Sequence, residues 1–302
     1  MSLTWDVLIP AYNAEASIGA AVASALAQPV PPQRVLVYDD GSSDRTVDAA
    51  RAAGAEVLVG PENRGVGHAR QELLEAAQAP WVHMLDADDR LLPGAYRLFE
   101  QADATHPDAW LHGFGEVPAT GPGAEAGGLQ GDRPVDVLQL WLRNRFITSS
   151  TLIRRAAALE VGGFPRTRQV EDYALWLTLA AAPGAQGRLW TYDSPVTART
   201  YDGGSLTGDV TGAVRAERQL LPQHAAGALA GVPGVLRPTL TAARLSTLWW
   251  RGLSRHTDYG RPASSYLPAR EVVPGTVLPA VLGFVGSGPA RRWVRAAAGL
   301  AR

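Results

Sequence analysis

The chain contains neither cysteine nor lysine, so all 28 of its basic residues are arginine. The absence of cysteine excludes a disulfide framework, a thiolate zinc site and a catalytic thiol. The absence of lysine excludes Walker-type phosphate loops, Schiff-base enzymes and protein kinases, because each of these relies on a lysine ammonium group. The longest apolar run, residues 272–285, is shorter than the roughly 20 residues of a membrane-spanning helix and is interrupted by prolines.

The composition is typical of a globular protein, and the charged residues are unevenly distributed along the chain. The 302 residues are 46% hydrophobic and 19% charged, which is enough for a large domain with an appended region. Residues 1–215 carry 17 Arg against 26 Asp and Glu, a net charge of −9, and residues 216–302 carry 11 Arg against 3 acids, a net charge of +8. The basic region suits an anionic surface such as lipid headgroups, and it lacks a nucleic-acid recognition motif. We therefore expect a cytoplasmic protein with peripheral contact at the inner face of the membrane and no nucleic-acid partner.

Short apolar runs alternate with alanine-rich stretches of helical character in the first part of the chain. The predicted strands are Trp5–Ile9, Arg34–Tyr38, Glu56–Val59 and Trp81–Leu85. The predicted helices are Ala14–Ala27, Asp44–Ala53, which Ser42 or Ser43 would cap, and Val66–Gln78. This alternation indicates an α/β fold with a parallel sheet covered on both faces and ligands bound beyond the carboxyl ends of its strands.

Acidic residues stand where that rule places ligands. They are Asp39 and Asp40 after the second predicted strand, and Asp86, Asp88 and Asp89 after the fourth. Two carboxylates ~4 Å apart repel by about 4 kcal/mol at an effective dielectric constant of ~20, and a hard divalent cation reverses that repulsion. Because Mg²⁺ and similar ions usually keep coordination positions for phosphate oxygens, a nucleoside diphosphate is the ligand that this pattern favours.

Residues 62–70 add a glycine-containing turn that leads into a helix, with Arg70 on its first turns. Gly65-x-Gly67 superficially resembles a dinucleotide-binding fingerprint. It does not meet that pattern, because Arg70 stands at the place of the third glycine and the segment does not follow the first strand.

Six blocks of the sequence, in order over about residues 3–207, are similar to those of a known family. They are VLIPAYN at 7–13, DDGSSD at 39–44, NRG with AR at 63–70, LDADD at 85–89, GGF at 162–164 and EDYALW at 171–176. They resemble the blocks of family 2 glycosyltransferases. The resemblance implies a GT-A fold with a mostly parallel central sheet flanked by helices. It also implies a nucleotide-sugar donor, for which we expect a UDP-sugar, with Mn²⁺ or Mg²⁺ and inversion at the anomeric carbon.

The resemblance also implies roles on the nucleotide side. Pro10, Ala11 and Tyr12 would line the base pocket, Asp40 rather than Asp39 would contact the base, and Arg70 would lie near the base or the diphosphate. In the block Asp86-Ala87-Asp88, one carboxylate would approach the ribose and another would bind the metal. Asp88 and Asp89 are both candidates for the metal ligand, because the additional acid permits either register.

Displacement of a nucleoside diphosphate requires a base that removes the proton of the acceptor hydroxyl on the opposite face of the sugar. Asp172 matches the family's catalytic position and directly precedes the apolar helix 173–181. Alternatively, Glu171 and Asp172 only offset a helix dipole. Residues 147–155, which include Thr148 and Ser149, either line the acceptor side together with Glu171 or serve the structure alone.

We expect residues 1–208 to form the glycosyltransferase domain, with residues 1–115 as its nucleotide-binding half and residues 134–208 as its acceptor and catalytic half. Between the halves, residues 118–133 are dense in glycine and proline and predict a loop. Residues 209–302 are expected to be mainly helical and basic.

The expected function is sugar transfer to an acceptor hydroxyl in cell-envelope or extracellular polysaccharide synthesis. Two alternatives stay open. One is an inactive nucleotide-sugar-binding protein of the same fold, which Tyr201 suggests because the family usually has histidine there. The other is a glycoside hydrolase that uses paired carboxylates.

Overall fold

The structure, a computed structural model, describes residues 3–119, 125–200 and 209–258. The chain divides into two compact units, Met1–Asp202 and Gly203–Arg302. The first unit is an α/β domain, and the described part of the second is helical.

Nine strands and seven helices make up the described part of the first unit. The strands are β1 (Trp5–Ala11), β2 (Arg34–Asp39), β3 (Glu56–Val59), β4 (Trp81–Met84), β5 (Arg90–Leu91), β6 (Leu111–Pro118), β7 (Arg133–Pro134), β8 (Thr151–Arg154) and β9 (Leu189–Arg199). The helices are α1 (Ile18–Leu26), α2 (Thr46–Ala52), α3 (Val66–Ala76), α4 (Ala95–Thr105), α5 (Val137–Leu142), α6 (Arg155–Glu160) and α7 (Glu171–Ala181). A short 3₁₀ helix, Thr148–Ser150, precedes β8.

The strands form one sheet in the order β3-β2-β1-β4-β8-β6-β9-β5, and β7 pairs with β9. The four strands predicted from the sequence are present and run parallel to one another. Every residue of β1 is buried, as expected for a strand that is covered on both faces. Beyond β4 the sheet is mixed, since β8 is antiparallel to both β4 and β6. The predicted α/β fold is confirmed, but the sheet as a whole is less parallel than the first four strands indicated.

The register places the ends of the parallel strands at one edge. Ala11, the last residue of β1, pairs with Asp39, the last residue of β2, and Met84 at the end of β4 pairs with Leu8. The residues that follow β1, β2 and β4 therefore emerge side by side, as the sequence predicted.

The predicted start of the second helix was wrong. Helix α2 begins at Thr46 with Arg45 at its N-cap position, and no side chain caps it there. The hydroxyl of Ser42 instead accepts a hydrogen bond from the backbone N–H of Asn13 at 2.8 Å. A carboxylate oxygen of Asp44 accepts a hydrogen bond from the backbone N–H of Thr46 at 3.0 Å. Asp44 therefore makes the local side-chain-to-backbone hydrogen bond that was predicted for Ser42 or Ser43.

Two histidines lie in the centre of the sheet without exposed surface, His83 on β4 and His112 on β6. Burial lowers the pKa of His83 to about 4 and that of His112 to about 3. Both are therefore neutral in the folded protein at pH 7. The Nε2–H of His83 donates to the carbonyl of Ser149 at 3.1 Å, which suits a neutral ring.

These histidines predict a loss of stability in acid. Below pH ~6.5 these two side chains bind protons in the unfolded chain but not in the folded chain, so their contribution to the free energy of unfolding falls as the pH drops from about 6.5 towards 4. Denaturant unfolding across this range should show a shallower fall for His83→Gln, whose amide can still donate to Ser149. An equal slope for the wild type and this variant would contradict the assignment.

The second unit contains helices α8 (Val210–Ala228) and α9 (Arg237–Asp258). They pack on each other, and Arg244 of α9 donates to Glu217 of α8 at 3.0 Å. The described part of residues 209–302 is mainly helical, as expected. Among the described residues, no helix is both long enough and apolar enough to cross a membrane. Residues 259–302, the rest of the region expected to be mainly helical and basic, lie outside the described residues.

Candidate active site

The nucleotide side of the site lies where β1 and β2 end. Pro10 and Ala11 are buried inside β1, whereas the side chain of Tyr12, directly after the strand, is 50% exposed. Asp40 is buried, and its two carboxylate oxygens accept the backbone N–H groups of Arg64 at 2.9 Å and of Gly65 at 2.7 Å. Asp40 therefore fastens the loop before α3 to this edge, and each of its oxygens keeps a further lone pair.

Residues 86–89, which we call the acidic loop, follow β4 at the same edge. The backbone N–H of Asp86 donates to the hydroxyl of Ser149 at 3.1 Å. Asp89 is buried and accepts the backbone N–H of Thr200 at 3.0 Å. The Thr200 hydroxyl donates to the backbone carbonyl of Asp88 at 2.7 Å. Hydrogen bonds with Ser149 and with Thr200, which directly follows β9, therefore hold the acidic loop in place.

The charges of the acidic loop are crowded. Burial raises the pKa of Asp89 to about 7, and the charges of Asp86 and Asp88 add to that rise, while hydrogen bonds from Ser149 and Thr200 oppose it. Asp86 and Asp88 are only half-buried. A divalent cation at this loop would relieve the repulsion among the three carboxylates.

The chemistry of these donors fits Mg²⁺ or Mn²⁺ in part. In the ranges that the structure describes, no group of three or more His, Cys, Asp or Glu residues is arranged to hold a metal ion. Mg²⁺ is typically held by one or two carboxylates together with water and substrate phosphates, so a complete protein cage is not required. Asp88 and Asp89 remain the residues that would hold it. Tyr201 stands where the family usually has a histidine that could be a further metal ligand, and it lies outside the described residues.

The catalytic candidate Asp172 lies in the first turn of α7. One of its oxygens accepts the hydroxyl of Thr148 at 2.6 Å, and the other accepts the backbone N–H of Tyr173 at 2.6 Å. The Tyr173 hydroxyl is anchored on the carbonyl of Leu140 at 2.7 Å. Val170, directly before the helix, has a positive φ of 58°, which is a strained conformation for a β-branched residue. The start of α7 is therefore held in a specific orientation.

Arg70 joins the two parts of the site. It is buried on α3, and one guanidinium nitrogen donates to Asp86 at 2.6 Å while another donates to Glu171. Burial opposes the charge of Arg70, yet Glu171 and Asp86 together raise its pKa above the usual value. Burial raises the pKa of Glu171 to about 7 against the opposing charge of Arg70. We call Asp86, Arg70 and Glu171 the ion triad; Arg70 and Glu171 are buried, and Asp86 is half-buried.

The sequence alone did not predict this triad. Each residue stood in a separate block, and Arg70 and Glu171 are 101 positions apart. No local pattern in the sequence links them. The structure also places Thr148 and Ser149 differently from each other, since Thr148 bonds Asp172 whereas Ser149, 1% exposed, lies beneath the acidic loop.

Gly67, in the first turn of α3, allows close packing against the segment 165–167. A Cβ atom at Gly67 would lie 2.3 Å from the carbonyl oxygen of Pro165, so no side chain fits there. The backbone N–H of Gly67 donates to the carbonyl of Thr167 at 3.1 Å. Gln71 accepts the backbone N–H of Phe164 at 2.7 Å. The segment 63–71 and the segment after Gly162-Gly163-Phe164 are therefore interlocked.

Part of the predicted loop 118–133 is described. The backbone N–H of Ala126 donates to the carbonyl of Pro93 at 3.0 Å, and that of Gln130 donates to the hydroxyl of Ser194 at 2.8 Å. This part of the loop is attached to the sheet at β9.

These features define an α/β protein with an open sheet and an acidic loop at the carboxyl ends of its strands. The same architecture occurs in the mannosyltransferase PcManGT from Pyrobaculum calidifontis, solved in complex with GDP-Man and Mn²⁺. The two structures match with a TM-score of 0.60 and 20% sequence identity over 99% of this chain and 85% of that chain. The predicted GT-A fold is confirmed.

The sequence comparisons find a family match over part of the chain. The segment of residues 6–121 matches the family model described as Glycosyl transferase family 2. It holds β1 to β4 and the acidic loop.

Two relatives show how far the similarity extends. The succinoglycan biosynthesis protein ExoU of Rhizobium meliloti is 42% identical over 93 residues, which are 29% of this chain and 27% of that protein. The UDP-Glc:alpha-D-GlcNAc-diphosphoundecaprenol beta-1,3-glucosyltransferase WfgD of Escherichia coli is 26% identical over 177 residues, which are 58% of this chain and 68% of that protein. The similarity thus covers about a quarter of the length of ExoU and about two thirds of WfgD.

Proposed function

We propose that the chain is a metal-dependent, inverting glycosyltransferase that transfers a sugar from a UDP-sugar to an acceptor hydroxyl. The observation that carries this proposal is the joining of the acidic loop to the start of α7 through Arg70. That contact brings the proposed donor site, at Asp86, close to the proposed base, Asp172. The family match of residues 6–121 supports it.

On the donor side, Tyr12 is the exposed aromatic ring for the base, with Pro10 and Ala11 forming the strand end behind it. Asp40 keeps acceptor capacity for an N–H of the base, which suits uracil. Asp86, oriented by Arg70, lies towards the ribose. The printed name of WfgD, which includes UDP-Glc, supports a UDP-sugar, whereas PcManGT was solved with GDP-Man.

For the metal we assign Asp88 as the protein ligand, with Asp89 beneath it supporting the loop. Asp88 is the less buried of the two, and Asp89 is engaged by the backbone of Thr200. When bound, Mn²⁺ or Mg²⁺ supplies charge stabilisation to the departing diphosphate.

Asp172 acts as the general base. It removes the proton of the acceptor hydroxyl, whose oxygen forms a bond to the anomeric carbon while the bond from that carbon to the diphosphate oxygen breaks. The electron pair of the broken bond leaves with the nucleoside diphosphate, and attack from the opposite face inverts the configuration. Thr148 donates to the Asp172 oxygen at 2.6 Å and so holds the carboxylate in one orientation.

The acceptor belongs to the same proposal. The printed names of ExoU and WfgD concern succinoglycan biosynthesis and a diphosphoundecaprenol-linked sugar, which supports polysaccharide synthesis on a glycan or lipid-linked acceptor. The net charge of +8 over residues 216–302 supports contact with an anionic membrane surface.

The proposal is tested by calorimetric titration of UDP, GDP and dTDP into the purified protein with Mn²⁺, with Mg²⁺ and with a chelator. We expect UDP to bind in the presence of metal and to lose affinity in the chelator. Absence of binding by every nucleotide in every condition would overturn the proposed function. Preference for GDP would correct the donor and leave the reaction class in place.

A further inference from the structure

Arg70 and Glu171 perform no step of the reaction proposed above, although they lie between its donor and catalytic parts. Both are buried, at 5% and 3% exposure. The two carboxylates of the triad accept hydrogen bonds from different nitrogens of the one Arg70 guanidinium group. The triad therefore connects the loop after β4 with the first residue of α7 through a single side chain.

The surroundings of the triad are equally specific. Besides the Gly67–Thr167 and Gln71–Phe164 bonds, Arg168 donates to the side-chain oxygen of Asn63 at 3.2 Å. These contacts align α3, which carries Arg70, against the segment that leads into α7. Asp172 directly follows Glu171, so the position of the base depends on the same segment.

We propose that Arg70 and Glu171 are positioning residues: Glu171 orients Arg70, and Arg70 orients Asp86, so that the donor site is held in a defined relation to Asp172. This inference rests on the proposed function. It gives Glu171 a role away from the acceptor, and it gives Arg70 an influence on the nucleotide through Asp86.

The free-energy cost of burial and the geometry of the guanidinium group both favour a positioning role. Burying charged groups is expensive, and apolar side chains of similar size often stabilise a fold as well or better. The planar guanidinium group serves two carboxylates at fixed angles, which a lysine ammonium group does not reproduce. A triad of this kind is therefore explained better by the orientation it imposes than by stability.

The test compares variants by titration of UDP in Mn²⁺ and by melting temperature. The variants are Glu171→Gln, Arg70→Lys, Arg70→Met and the double variant Arg70→Met/Glu171→Gln. The matched control is Glu72→Gln, which removes a carboxylate of the same helix that pairs with Arg166 at 3.3 Å. We expect the control to match the wild type. Glu171→Gln and Arg70→Lys should each weaken UDP binding about tenfold, equivalent to ~1.4 kcal/mol.

The double variant separates positioning from charge balance. Arg70→Met alone leaves Glu171 buried without its cation and should lower the melting temperature, and the added Glu171→Gln should recover much of that loss. UDP affinity should stay reduced in the double variant, because Asp86 still lacks its partner. Recovery of wild-type affinity there, or unchanged affinity in Glu171→Gln, would overturn the inference. Failure of the wild type to bind any of UDP, GDP and dTDP would instead overturn the proposed function.

Discussion

Asp172→Asn is expected to abolish most of the transfer activity and to leave donor binding in place. An amide is not a general base, and loss of such a base typically lowers the rate by about 10²–10⁴-fold. The amide oxygen can still accept the Thr148 hydroxyl, whereas the amide nitrogen cannot accept the backbone N–H of Tyr173, so one of the two bonds that orient the side chain is kept. Release of UDP from a panel of UDP-sugars, with water or a glycan as acceptor, measures the rate, and calorimetry measures UDP binding.

Two further variants refine this expectation. Thr148→Val removes the hydroxyl that donates to Asp172 at nearly constant volume, and Thr148→Ser keeps it. We expect Thr148→Val to lower the rate without changing UDP affinity, and Thr148→Ser to restore most of it. The control is Asp108→Asn, which changes an exposed acid away from the site. Full activity in Asp172→Asn would remove Asp172 from the mechanism, and a wild type that binds UDP without releasing it from any sugar would favour an inactive binding protein.

Asp88→Asn is expected to weaken the metal-dependent part of UDP binding at least tenfold, equivalent to about 1.4 kcal/mol. The reason is that an amide oxygen is a poorer ligand for a hard divalent cation than a carboxylate. The remaining UDP affinity of this variant should no longer respond to a chelator. Titrations of UDP in Mn²⁺ and in chelator measure both effects.

Asp89→Asn serves as the matched comparison, because the two acids are adjacent and the substitution is the same. Its amide oxygen can still accept the backbone N–H of Thr200, so we expect nearly unchanged UDP affinity in Mn²⁺. It should also leave the melting temperature equal or higher, since a buried carboxylate is replaced by a neutral group. The reverse result, with loss of chelator sensitivity only in Asp89→Asn, would assign the metal to Asp89.

The common location of the acidic residues at one edge of the sheet was predictable, because it depends on residues that are close together in the sequence. Apolar runs define β1, β2 and β4, and parallel strands that share a register must end at the same edge. Asp40 and the acidic loop follow those runs directly, so their common location required no knowledge of distant contacts. The start of α2 was not predictable in this way. Serine and aspartate side chains near Thr46 can both accept its backbone N–H, and only the folded geometry selects Asp44.

The sequence by itself determined the α/β class, the first four strands and the edge at which the acidic residues lie. The tertiary structure alone decided the mixed half of the sheet, the support of the acidic loop by Ser149 and the ion triad. Periodicity and turn residues describe neighbours along the chain. The pairing of Arg70 with Glu171, 101 positions away, depends instead on how α3 and α7 pack, and a buried charge finds its partner only once that packing has formed.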